Sequence, residues 1–183
     1  MRTLIAYAST LGSTREIAEV MAVALSEAGP DVDLRAVDDV GSLAGYQAVV
    51  LGSPVYNGQW LPEVHDFGKE HRKDLAGRAV WLFSVGAVGA TSSAYGPRSS
   101  ATLRRLRREP TTVLELRQNF EPRGHHAFAG VLDRKDWGRV SSLTFRLFGG
   151  HWGDHRDWED IRAWATSIGT DLAATPPSSS TGD

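Results

Sequence analysis

Strand-type and helix-type hydrophobic patterns alternate along almost the whole chain. That alternation restricts the fold to a parallel sheet with crossover helices, because each strand must return across a helical connection to lie beside its parallel neighbour. Arg2 to Ala8 is an apolar run of buried-strand type, and Ser13 to Ala28 then places Ile17, Val20, Met21, Ala24 and Leu25 at helical spacing before Gly29-Pro30 stops it. Asp31 to Val37 reads as a second strand, Tyr46 to Gly52 as a third, central one, and Arg78 to Ser84 as a fourth. Between the last two, Leu61 to about Arg72 reads as a helix entered through Pro62. Ser99 to Arg108 is helix-like, Pro110 breaks it, and Thr112 to Asn119 fits either helix or strand. Ala127 to Val131 supplies a fifth strand, and Trp158, Ile161, Trp164, Ile168 and Leu172 mark a closing helix. Residues 1–174 therefore read as one domain of 183-residue chain length, with Thr175 to Asp183 a disordered Pro/Ser/Gly tail.

Composition removes several chemistries. The absence of cysteine excludes disulfides, iron-sulfur clusters and thiolate-bound zinc. Arg2 runs straight into a short strand and then Ser9-Thr10, and no stretch approaches 18 apolar residues, so a cytoplasmic protein is expected. The net charge of -2 is uneven: residues 97–146 carry eleven Lys or Arg against five Asp or Glu, which leaves the remainder at -8. A basic segment of this kind suits nucleic acid, an anionic membrane or an acidic partner. The plainer reading is a solvated arginine face, and no nucleic-acid partner is expected.

In an open parallel sheet ligands bind at the C-terminal ends of the strands, so the loops there carry the functional signal. After the first strand come Ser9, Thr10, Leu11, Gly12, Ser13 and Thr14, four hydroxyls and a glycine at a helix N-terminus. Hydroxyls and free backbone amides at the positive end of a helix dipole make an anion cradle. The segment lacks the Gly-Lys-Ser/Thr of a Walker loop and the three glycines of a dinucleotide fingerprint, and so suits a bound phosphomonoester. Ordinary capping by Ser13 or Thr14 would need only one of these hydroxyls.

The third strand leads into Ser53, Pro54, Val55, Tyr56, Asn57, Gly58, Gln59 and Trp60, a turn dipeptide between two large aromatic residues that a flat ligand would cover. Gly58 further permits a peptide orientation in which a carbonyl accepts a proton-bearing nitrogen. The fourth strand leads into Ser84, Val85, Gly86, Ala87, Val88 and Gly89, small residues whose amides can approach a ring edge.

Taken in this order, the three loops resemble those of the flavodoxin-like FMN proteins. The resemblance covers the chain to about Leu172. It implies a three-layer sandwich around a five-stranded parallel sheet of order 2-1-3-4-5, with FMN as cofactor. The phosphate would sit on Ser9 to Thr14 and the isoalloxazine between Tyr56 or Trp60 and the Gly86 to Gly89 backbone. Within the family the chain is similar to the menaquinone-dependent protoporphyrinogen dehydrogenase branch, on Gly12-Ser13-Thr14-Arg15-Glu16-Ile17-Ala18, Tyr56-x-Gly58, Phe83-Ser84-Val85, Phe128-Ala129-Gly130-Val131 and Gly149-Gly150 before Asp157-Trp158-Glu159. Where that branch commonly follows Tyr-Gly with basic or His residues, this chain has Tyr56-Asn57-Gly58-Gln59-Trp60.

The resemblance implies an FMN-dependent oxidoreductase whose partner is a quinone, a porphyrinogen or a redox protein. No side chain is assigned as catalytic, since the cofactor carries the electrons. An electron-transfer flavodoxin and a cofactor-free interaction module are the alternatives. A phospho-receiver domain is excluded, because Ser53-Pro54 and Ser9-Thr10 occupy the places of its acidic residues. Residues 137–152, with Val140, Leu143, Thr144, Leu147 and Phe148 on roughly one face and Arg139 and Arg146 nearby, read as a helix packed on its own domain or as a lid or peripheral membrane contact. No metal site is expected. His125 and His126, adjacent on a strand, point to opposite faces, and the His151, Asp154, His155 and Asp157 cluster reads as solvated.

Overall fold

The computed structural model describes residues 1–106, 108–136 and 139–174, and the expected tail lies outside them. In chain order the elements are β1 (Arg2–Tyr7), α1 (Ser13–Glu27), β2 (Asp31–Ala36), β3 (Ala48–Tyr56), β4 (Gln59–Trp60), α2 (Pro62–Glu70), α3 (Arg72–Ala76), β5 (Ala79–Gly86), α4 (Pro97–Leu106), α5 (Thr111–Asn119), β6 (Gly124–Ala129), β7 (Val131–Leu132), α6 (Arg139–Leu147), β8 (Gly153–Asp154) and α7 (Trp158–Ala174).

Five parallel strands run β2-β1-β3-β5-β6, which is the expected 2-1-3-4-5 order. Two features add to it. The two-residue β4 pairs antiparallel with the end of β3, and β7 and β8 form a separate two-stranded ribbon. Alternate residues of the sheet face opposite layers. Leu4, Val49, Leu51, Val80 and Leu82 pack with Val64 and Phe67 of α2 and Val113 and Leu116 of α5. Ile5, Val50, Trp81, Phe83 and Phe128 pack with Ile17, Met21 and Leu25 of α1 and Ile161, Ala165 and Ile168 of α7. Ala48 to Leu51 is an unbroken apolar run because both of its faces are covered, each residue being fully buried. The stripe on α1 forms for the same reason: Met21 and Leu25 are fully buried against α7. Each such side chain contributes about 1.5–3 kcal/mol by leaving water.

The structure resolves the ambiguous segment after Pro110 as helix. Leu114-Glu115-Leu116-Arg117-Gln118 are good helix formers, and Val113 and Leu116 give the stripe that packs on the sheet. The fifth strand begins at Gly124, three residues earlier than expected, and ends at Ala129, with Val131 in the ribbon. The third strand runs on to Tyr56, so that Ser53 and Pro54 pair with Ser84 and Val85.

Candidate functional site

At the C-terminal rim of the sheet lies a cleft of about 360 Å³. One end is walled by Ser9, Thr10, Leu11, Ser13 and Thr14, and the other by Pro54 to Asn57, Val85 to Ala87 and Gly130 to Asp133. Three loops of the expected site thus meet in one cavity, joined by a fourth that follows β6.

The hydroxyl end is shaped by Gly12, whose left-handed φ of 90° turns the chain from β1 into α1. The first-turn amides of α1 have no acceptor within the helix, and the helix dipole adds positive potential there. Ser13 Oγ accepts from the backbone N–H of Val131 at 3.1 Å, and Gly130 N–H donates to Gly86 O at 2.9 Å. The loop after β6 is therefore fastened to both neighbouring loops. Glu16, in the same first turn, would oppose an anion. Its carboxylate is taken by Arg156 Nη1 at 2.5 Å, and Arg156 also grips Asp154 through Nε at 2.8 Å and Nη2 at 2.6 Å while lying over the Trp158 ring. The guanidinium hydrogen bond holds the Asp154 carboxyl below the usual carboxylate range.

The ring end is a β-hairpin. Asn57 and Gly58 have φ of 51° and 78°, the type I′ geometry that a two-residue hairpin loop favours. Tyr56 pairs with Gln59 and Val55 with Trp60, so the two aromatic side chains lie on opposite faces. Tyr56 is half exposed and lines the cleft. Trp60 differs from the expectation: it is buried in the α2/α5 layer, and its indole Nε1 donates to Ser84 Oγ at 2.8 Å. Alternation across the turn, not the loop position, decides which ring faces a ligand. The turn itself is held by Thr111 N–H, which donates to Gly58 O at 3.1 Å, and by Leu61 N–H, which donates to Ser53 Oγ at 3.0 Å.

Ser53 and Ser84 point into the same layer and away from the cleft, as their hydrogen bonds show. Val85, Gly86 and Ala87 line the cleft; Val88 and Gly89 lie just outside it. A Cβ on Gly89 would stand 2.4 Å from the Ala129 amide nitrogen, so only glycine lets this loop lie against β6. Gly130 to Asp133 were not anticipated, although a glycine directly after the fifth strand is the signal the strand-end rule provides. Near Asp133, Lys135 donates from its backbone and side chain and holds the carboxyl below its usual range.

His125 and His126 do face opposite layers, toward Glu109 and Asp160 respectively. His155 Nε2 bonds to His151 O, and Asp157 accepts from Asp160 N–H. Among the described residues no group of three or more His, Cys, Asp or Glu could hold a metal ion. Helix α6 docks through Phe145, against Tyr95 and Trp152, while Leu143, Leu147 and Phe148 stand exposed; the side chain of Val140 lies outside the described residues. No helix among the described residues is long and apolar enough to cross a membrane.

A cleft with hydroxyls and helix-end amides at one end and an apolar slot under an exposed tyrosine at the other has the donor set a flavin mononucleotide requires, and its volume is of the right order for a compact ligand. Residues 4–151 match the flavodoxin domain model, and the chain belongs to that family. It is 25% identical over 179 residues to the protoporphyrinogen IX dehydrogenase [quinone] of Escherichia coli K12, covering 92% of this chain and 94% of that protein. Among solved structures it resembles a flavodoxin from the domain Archaea (TM-score 0.58, 15% identity, 94% of this chain and 99% of the other). It also resembles oxidised Flavodoxin 1 of Bacillus cereus (TM-score 0.56, 13% identity, 96% and 100%).

Proposed function

We propose that this chain is an FMN-dependent oxidoreductase that passes electrons to a quinone. The observation that carries the reading is the cleft itself, whose hydroxyl end on Ser9, Thr10, Ser13 and Thr14 and apolar slot between Tyr56 and the Val85 to Ala87 segment lie in one continuous cavity. Bound there, a flavin supplies two-electron chemistry. Ser9 to Thr14 would hold its phosphate, and Tyr56, Gly86 and Ala87 would line its ring. The fixed hairpin keeps Tyr56 in place before the ligand arrives, which reduces the ordering cost of binding.

Acceptance by a quinone is supported by the similarity, along nearly the full length of both chains, to a quinone-linked dehydrogenase. A porphyrinogen as electron donor rests on the same similarity, and a redox protein is the other partner of this type. The exposed Leu143, Leu147 and Phe148 offer a peripheral contact, from the cytoplasmic side, with a membrane that dissolves such acceptors. The second reading, a flavodoxin that shuttles electrons between proteins, is favoured by the structural likeness to flavodoxins. Against it stands the net charge of -2, weak for a carrier that docks by charge.

The test is the absorbance spectrum of the purified protein, followed by anaerobic reduction and reoxidation with menadione or with a one-electron acceptor. A flavin spectrum and fast reoxidation by menadione are expected. Reoxidation by the one-electron acceptor alone would favour the carrier. Protein that stays colourless with added FMN would instead be a cofactor-free module.

A further inference from the structure

A second cavity, of about 230 Å³, meets the first: Val55, Gly86 and Ala87 line both. Its walls also include Ser84, Tyr95, Leu103, Arg108 and His125. It lies on the α5 side of the sheet, where a row of polar side chains runs through otherwise apolar packing. Trp60 Nε1 is 2.8 Å from Ser84 Oγ, Ser84 Oγ is 2.8 Å from His125 Nε2, His125 Nδ1 is 3.2 Å from Glu109 Oε1, and Arg117 Nη2 donates to that same oxygen at 3.0 Å. The His125 side chain is only 5% exposed.

Donor and acceptor capacity fixes the directions of these bonds. Indole N–H only donates and a carboxylate only accepts, so Trp60 donates to Ser84 and His125 donates from Nδ1 to Glu109. What remains is the proton between Ser84 and His125. With His125 neutral, its Nε2 accepts the Ser84 hydroxyl, and the free lone pair of Ser84 Oγ is an acceptor facing the cavity. With His125 protonated, Trp60 and His125 both donate to Ser84 Oγ, and the serine proton must point elsewhere. Ser84 then presents a donor to the cavity. One charge on His125 converts Ser84 from a site for a hydroxyl into a site for a carbonyl.

We infer that Ser84 and His125 form the proton-transfer end of the acceptor site, with a quinoid ring lying in this second cavity against the wall it shares with the flavin cleft. The inference rests on the quinone reading above and adds to it a place and a proton source. A quinone gains two electrons and two protons. A bound flavin in its anionic reduced form would supply the electron pair and one proton together, as a hydride. The other passes from Ser84 Oγ to the quinone carbonyl oxygen as the Nε2 proton of His125 moves onto Ser84 Oγ. The products are a hydroquinone and a neutral His125 still bound to Glu109; solvent then restores the imidazolium through the cavity, whose Arg108 is exposed. Glu109 supplies the counter-charge. Burial pushes its carboxyl up, but Arg117 and His125 outweigh that and hold it below the ordinary carboxylate range. The groups that face His125 here include Glu109, with Arg117 behind it, and Tyr95 and Arg108 across the cavity. Burial raises the Tyr95 hydroxyl above its ordinary value.

The test uses FMN-loaded protein, reduced anaerobically and mixed with menadione or with ferricyanide, which takes one electron and no proton. His125→Gln is expected to slow reoxidation by menadione about 100-fold or more, the scale of a lost proton donor, while leaving the ferricyanide reaction unchanged. The wild-type menadione rate should fall as pH rises through one ionisation, and that dependence should vanish in His125→Gln. Glu109→Gln, at a partly exposed site, should move the same ionisation to lower pH and covers the case in which a buried variant does not fold. A readout without turnover is the ¹⁵N shift of His125 in the oxidised protein, expected to move when menadione is added. Unchanged menadione kinetics in His125→Gln and Glu109→Gln, or an unmoved His125 resonance, would overturn the relay while leaving the flavin reading intact. Wild-type protein that takes up no FMN would overturn that reading instead.

Discussion

The indole of Trp60 reaches across to β5 and donates to Ser84 Oγ, with only 4% of the residue exposed. A residue that follows the turn of a ligand-facing hairpin is thus a strut between the hairpin and the sheet, and Tyr56, before the turn, is the ring left to meet a ligand. Trp60→Phe keeps most of the buried surface and removes the N–H. It should lower folding stability by about 1–2 kcal/mol, read as a shift in urea midpoint, with little change in FMN affinity. A large loss of FMN affinity at unchanged stability would put Trp60 back at the flavin.

The cradle hydroxyls divide by what else they hold. Thr10 is exposed and lines the cleft, so Thr10→Ala should weaken FMN binding by about tenfold, the worth of one hydrogen bond to a charged group, without altering the melting temperature. Ser13 also accepts from Val131 N–H, so Ser13→Ala should weaken FMN binding and lower stability by about 1 kcal/mol. Fluorescence titration and thermal melts separate the two.

At the hairpin turn, Gly58 has a φ of 78° and its carbonyl is held by Thr111 N–H. Gly58→Ala should cost about 1 kcal/mol or more of stability, because a Cβ disfavours this conformation. Asn57→Gly, at a φ of 51°, should be tolerated. Equal urea midpoints for the two variants would contradict the turn assignment.

How much of this could be read beforehand follows from the range of the interactions involved. The order of strands, the hydroxyl cradle and the Asn57-Gly58 turn are local signals, complete within a few residues. The burial of Trp60 depends on Ser84, 24 residues away in sequence. The early start of β6 was hidden by its polar Gly-His-His opening. His125 and His126 are tolerated among the buried layers on either side of the edge strand β6 because Glu109 and Asp160 come from other elements to meet them. Thr111-Thr112-Val113 looks strand-like for its β-branching, and the docking of Val113 and Leu116 under the sheet decides for helix.

Acid should weaken the fold partly through Asp33. The Tyr46 hydroxyl, 2.5 Å away, and Arg35 hold this carboxyl below its ordinary value of 3.8. A native pKa below the unfolded one contributes stability that is complete above the unfolded value and is lost as pH falls toward the native one. Tyr46 behaves oppositely: burial and Asp33 raise it above 10.0, so its contribution is lost as pH climbs through its native pKa. Urea midpoints plotted against pH should therefore fall at both extremes, and Asp33→Asn should flatten part of the acid limb. An unaltered acid limb in that variant would remove the pair from the account.

The most direct measurement is a pair of titrations of the FMN-free protein, one with FMN and one with riboflavin, which lacks the phosphate. If the β1–α1 turn holds that phosphate through its hydroxyls and amides, FMN should bind about 100-fold tighter or more, as two charged hydrogen bonds would give, and Thr10→Ala should narrow the gap. Equal affinities for the two compounds, or binding of neither, would contradict it.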